Sequence, residues 1–196
     1  MSGFKSIPFW SWNDELNEEE LKEQIRWMNA KGIGGFFMHA RSGLKTEYLS
    51  KKWMDCIQAC TEEAEKLGMQ AWAYDENGWP SGFCGGKLLE DPENCDMYLT
   101  HTNGKFDANA DVSYKIYKNK LIRTNLGGKG KFVNVYLNRS VSTADILNEK
   151  VVKKFIESTH EKYKNEIKGK VWGFFTDEPQ YYRWDTPYTQ VLPEYF

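Results

Sequence analysis

The stretch Val171-Trp172-Gly173-Phe174-Phe175-Thr176-Asp177-Glu178-Pro179 decides how the chain is read. An apolar run with aromatic and β-branched residues ends abruptly in two carboxylates and a proline. A run of this kind predicts a strand buried on both faces. Two adjacent acids would be costly inside a core, so they belong where the chain leaves a sheet. Pro179 removes an N–H and stops the ladder. A buried parallel strand that delivers acids at its C-terminal end is how α/β barrels build active sites. The plainer reading is a strand followed by a polar turn, and the rest of the chain has to decide between them.

Working outward, the same unit recurs upstream. Ile7 to Asn13 predicts a first strand with Trp10 and Trp12 on one face. A helix follows, with Asn17 as N-cap, Glu20 at N3, and Leu16 and Leu21 placed as a hydrophobic staple. Leu21, Ile25 and Met28 form its apolar stripe, and Gly32 ends it. The run from Gly34 to Arg41 predicts a second buried strand. Ser50 caps a second helix that turns Met54, Ile57, Ala64 and Leu67 inward and stops at Gly68. The run from Met69 to Glu76 is a third strand, again ending in two acids, followed by the turn-rich loop Asn77-Gly78-Trp79-Pro80-Ser81-Gly82.

The alternation breaks between about Phe83 and Asn148, where residues 96–102, 112–117 and 131–139 read as short strands. It resumes with a helix ending near Ile167 that carries Val152, Phe155, Thr159 and Tyr163 on one face. Strand–helix alternation at this spacing predicts parallel pairing with right-handed crossovers. The expected fold is therefore α/β: the N-terminal half of a TIM-type (β/α)8 barrel, with four parallel βα units. One partial barrel catalytic domain would span residues 1–196, with a small antiparallel β insertion after the third strand, at about 83–148. The chain of 196 residues is shorter than the roughly 250 of most complete barrels.

Composition narrows the function. A net charge of -2 with scattered lysines argues against nucleic acid. No apolar stretch approaches the roughly 20 residues of a membrane span. Met1 to Lys5 carries no signal-peptide core, which with thiols read as unpaired suggests the cytoplasm. Cys56 and Cys60 share a helix face, where packing is favoured over metal binding because no second pair has matching spacing. Eight tryptophans among 15% aromatic residues suit a sugar-binding cleft as well as a core.

The strand ends place a set of candidate residues on one rim. The acids Asp177 and Glu178 are the catalytic candidates. Trp12, Asn13, His39, Arg41, Asp75, Glu76, Trp79, Tyr181 and Tyr182 are candidates for substrate binding. Each alone could be a rim residue tied into loop hydrogen bonds. Acids recurring at the ends of two strands, beside aromatic rings, suit glycoside hydrolysis: one acid protonates the leaving oxygen, and a second activates water or attacks the anomeric carbon. No Gly-x-Ser-x-Gly elbow, P-loop, dinucleotide fingerprint or zinc cluster supports a competing chemistry. A metal site is not specified by these residues.

Six stretches carry a resemblance. Pro8 to Asn13, Gly32 to Phe36, Tyr48 to Trp53, Leu67 to Met69, Gly78 to Gly82 and Thr176 to Pro179 resemble the N-terminal catalytic region of bacterial proteins related to glycoside hydrolase family 106, the α-L-rhamnosidases and their relatives. The resemblance covers nearly all the chain outside the insertion. It implies a (β/α)8 catalytic barrel within a longer multidomain polypeptide, inverting chemistry by glutamates, and a calcium ion near the sugar. It makes Glu178 the match for the general acid. The chain departs from that pattern by ending after its fourth strand, without a second catalytic carboxylate.

Two functions follow as expectations. The first is a glycoside hydrolase catalytic region acting on a carbohydrate substrate, rhamnoside-like by resemblance, incomplete in this chain and inactive in isolation. The second is a non-catalytic carbohydrate-binding or assembly fragment. Pro193 to Phe196 reads as a helix just beginning, which favours a fragment of a longer product. Half a barrel would need its missing C-terminal half or self-association to cover its apolar surface.

Overall fold

A computed structural model describes residues 4–181 and 185–194. In chain order the elements are β1 (Phe9–Trp12), α1 (Glu18–Ala30), β2 (Gly35–Ala40), α2 (Lys51–Lys66), β3 (Gln70–Asn77), β4 (Cys95–Gly104), β5 (Val112–Tyr117), β6 (Lys120–Thr124), β7 (Lys131–Ala144), α3 (Glu149–Ser158), α4 (His160–Glu166), β8 (Phe174–Phe175) and β9 (Thr186–Tyr188), with short 3-10 turns between β3 and β4 and after β9.

The local signals act as their chemistry dictates. The Asn17 side chain accepts hydrogen bonds from the backbone N–H groups of Glu19 and Glu20 and so starts α1. Ser50 does the same for α2 through the Trp53 N–H. Gly32 and Gly68 end the two helices at φ values of +82° and +65°, a region that favours glycine. Leu21 and Ile25 of α1 are buried against Trp53, Met54, Ile57 and Cys60 of α2, all within one core. Arg26 Nε donates to Glu63 across the two helices at 2.7 Å. Cys56, Cys60, Cys84 and Cys95 are buried free thiols.

β1, β2, β3 and β8 pair in parallel, in that order. Alternation along each strand gives the sheet two unlike faces. Trp10, Trp12, Phe36, Met38, Ala71 and Ala73 belong to the core shared with α1 and α2. The opposite face carries Phe9, Phe37, His39, Trp72, Tyr74 and Phe175 in mutual ring contact, with centroids 3.7–6.2 Å apart. Phe9 and Phe175 remain 49% and 36% exposed there.

The expected half-barrel is not what the chain forms. The region read as a small insertion builds a second, larger sheet: five antiparallel strands in the order β6-β5-β7-β4-β9. β4 and β7 pair from Cys95–Ala144 to Gly104–Phe132, further than any pair in the parallel sheet. β9 joins from beyond β8 and pairs with β4 through Met97, Tyr98 and Leu99, so the second sheet is not confined to one loop. The fourth parallel strand is only Phe174 and Phe175. Among the described residues it is an edge, paired only with β3, and Trp172 beside it is 46% exposed. The reading of Val171 to Phe175 as a strand buried on both faces fails for that reason. Among the described residues, no helix is long and apolar enough to cross a membrane.

Candidate functional site

Because β1, β2, β3 and β8 run in parallel, their C-terminal ends bring Asn13, Arg41, Asp75, Glu76, Asp177 and Glu178 to one edge of the sheet. The side chains there play different roles. Asp75 is fully buried and fully engaged. Its Oδ1 accepts from Ser81 Oγ at 2.6 Å, and its Oδ2 accepts from Thr176 Oγ1 at 2.6 Å, with His160 Nε2 at 3.1 Å. One carboxylate therefore ties β3 to the loop after it, to the start of α4 and to the chain leaving β8.

Glu76 is also fully buried. Its two oxygens accept from the N–H groups of Asn77, Gly82, Phe83, Cys84 and Gly85. Burial pushes this carboxyl above its ordinary range, and the bonds from Gly85, Asn77, Gly82 and Cys84 oppose that rise. Glu76 thus organises the Gly78–Gly85 loop. Trp12, 2% exposed, packs edge-on against Trp10 and Trp53 in the core. Asn13 and Arg41 are exposed on the rim, as is the ring of Trp79, at 43%.

Asp177 and Glu178 differ from the strand-three acids. Asp177 is half-buried and accepts from the Tyr74 hydroxyl at 2.5 Å. Its N–H donates to Ser81 Oγ, and its carbonyl accepts from the Ser81 N–H, each at 2.9 Å. Burial first, and this bond second, raise the Tyr74 hydroxyl above its ordinary pKa. Glu178 follows with φ at +42°, a left-handed conformation that costs a non-glycine residue roughly 1–2 kcal/mol. Glu178 is exposed, as are Trp172 and Tyr181. Tyr182 lies outside the described residues.

His39 occupies the exposed-face side of β2 near its end. Its ring stacks on Tyr74 at 3.7 Å and 29°, and only 6% of the residue is exposed. Burial, helped by the charge of Arg41 and opposed by Asp177, lowers its pKa to about 4. The imidazole is therefore neutral near pH 7. Its Nε2 is buried and has no hydrogen-bond partner among the described residues. An unmatched buried group of this kind costs about 1–3 kcal/mol.

Sequence reasoning missed Tyr74, Ser81, Thr176 and His160, which hold the acids in place. Tyr74 could have been found from its alternation with Trp72 along the strand. His160 carries no sequence signal of its own, since it lies on a separate helix. A mostly apolar cavity of about 290 Å³ adjoins this cluster and is lined by Ser81, Phe155, His160, Thr176 and Pro179 among others. A polar groove of about 440 Å³ lies far along the antiparallel sheet, around Asp107, Asp111 and Arg123, and none of the rim acids lines it.

A calcium ion needs six to eight oxygen ligands. The oxygens of Asp75 and Glu76 are engaged by protein donors, and among the described residues no three His, Cys, Asp or Glu side chains gather as a metal site.

No protein-family model matches the chain, and no curated protein matches it. Among solved structures, a rhamnosidase from Novosphingobium sp. PP1Y is similar at 21% identity with a TM-score of 0.42, over 52% of this chain and 10% of that one. The matched part thus spans about one tenth of that rhamnosidase's length.

Proposed function

We propose that the chain contributes a carbohydrate-acting site of the glycoside hydrolase type, with Glu178 as the acid that protonates the leaving oxygen. Asp177 is its neighbour on the turn and orients the sugar. The observation that carries this reading is the way the turn after β8 is held. Thr176 is bonded to Asp75 and Asp177 to Tyr74 and Ser81, while Glu178 is left exposed in a strained conformation. Strain maintained by its surroundings is characteristic of functional positions. Trp79 and Tyr181, on the flanking loops, are about half exposed, and aromatic side chains beside a site suit the apolar surface of a sugar.

The second reading is a carbohydrate-binding piece without turnover. It is favoured by the exposure of Glu178, because a general acid works best when partly desolvated. Kinetics on an alkyl glycoside and a nitrophenyl glycoside separate the two. As an acid, Glu178→Gln cuts turnover of the alkyl glycoside by roughly 10²–10⁴ with little change in KM, and less for the better leaving group. Sugar binding with no turnover in the full-length product favours the binding reading. Turnover that survives Glu178→Gln removes Glu178 from the acid role.

A further inference from the structure

His39 is a group that the proposed chemistry does not use. It lies on the same sheet face as Asp177 and is linked to it by one residue: its ring stacks on Tyr74, whose hydroxyl is held by Asp177. It is 94% enclosed, yet its Nε2 has no partner among the described residues. Buried polar atoms in native proteins are nearly always matched, and an exception calls for an explanation such as a ligand or a water.

The neighbouring groups suggest which ligand. Nε2 of a neutral imidazole is a donor or an acceptor according to the tautomer, and a hydroxyl can meet it in either role. The charged side chains that act on the ring are of both signs, Arg41 and Asp177, so the match rests on hydrogen bonding rather than on charge. Phe9, about half exposed, packs 5.3 Å from the imidazole on this face.

We infer that His39 is a specificity-determining residue whose Nε2 hydrogen-bonds one ring hydroxyl of a pyranoside. This rests on the carbohydrate reading above. It goes further in naming the residue that selects the sugar. A site built to bond a hydroxyl rejects the analogue that lacks it far more strongly than an apolar pocket rejects a change of shape.

The test is a binding series read by NMR on the full chain. The probes are the methyl pyranosides of rhamnose, mannose, galactose and glucose, and the monodeoxy analogues of whichever binds. In the unmodified protein, one deoxy position should weaken binding tenfold or more, and the His39 ring nitrogen resonance should move on binding. His39→Phe should abolish the discrimination at that one position and leave the penalties at the others. His39→Gln, which keeps a donor and an acceptor, should restore part of it and guards against a variant that fails to fold. If a pyranoside binds and His39→Phe discriminates as the unmodified protein does, the inference is overturned while the carbohydrate reading stands. If no pyranoside binds, both fall.

Discussion

A fully buried carboxylate is tolerated only where donors match its oxygens, and Glu76 meets that condition entirely with backbone N–H groups. Replacing it with glutamine would turn one oxygen into a donor that faces other donors. Glu76→Gln should therefore destabilise the fold by about 3 kcal/mol and lower Tm by roughly 5–10 °C, with proteolytic cutting concentrated in residues 77–85. Thermal unfolding and limited proteolysis read both, and an unchanged Tm would mean that Glu76 does not organise this loop. The same residue shows what a sequence leaves hidden. Asp75-Glu76 and Asp177-Glu178 look alike as adjacent acids at strand ends. Only the return of the Gly78–Gly85 loop onto Glu76, and of Ser81, Thr176 and His160 onto Asp75, makes the first pair structural.

At the scale of elements, strands and helices that rest on local chemistry were legible. The caps at Asn17 and Ser50, the stops at Gly32 and Gly68, and the apolar stripes located α1 and α2, and the buried runs located β1 to β3. Elements that rest on distant pairing were not. β6 was missed, and β9 exists because β4 offers it a partner far back in the chain. The junction of these strands holds two buried carboxylates, Asp96 at the start of β4 and Asp145 just past β7. Thr189 beyond β9 donates to Asp145 at 2.7 Å.

Burial first, and the charge of Asp145 second, raise Asp96 to about 6. A carboxyl raised in the folded state binds protons that the unfolded chain has already released. Its ionisation therefore costs stability as pH rises from near 4 to about 6. Asp96→Asn keeps an acceptor for Met97 and Thr143 and removes the charge. It should match the unmodified protein near pH 4 and exceed it above pH 6 by up to about 3 kcal/mol. Unfolding curves from pH 4 to 8 measure this, and a gain that is flat with pH would contradict it.

At the scale of the whole molecule, the chain divides its labour between two sheets. The parallel sheet buries one face against helices and gathers the candidate site at one edge. The antiparallel sheet takes up the middle of the chain, and the expectation of a half-barrel failed there, because alternating residues over 95–144 pair with one another at long range. The placement of the acids survived that error because it depends only on the direction of β1, β2, β3 and β8.

The central claim, that this edge receives a sugar, is tested most directly by mapping amide shifts of the isotopically labelled chain while a neutral methyl pyranoside is added. The expected result is saturable change confined to His39, Tyr74, residues 77–82 and residues 175–181. Saturable change confined to the groove around Asp107, Asp111 and Arg123, or no change at the parallel sheet's C-terminal edge with any sugar of the series, would contradict it.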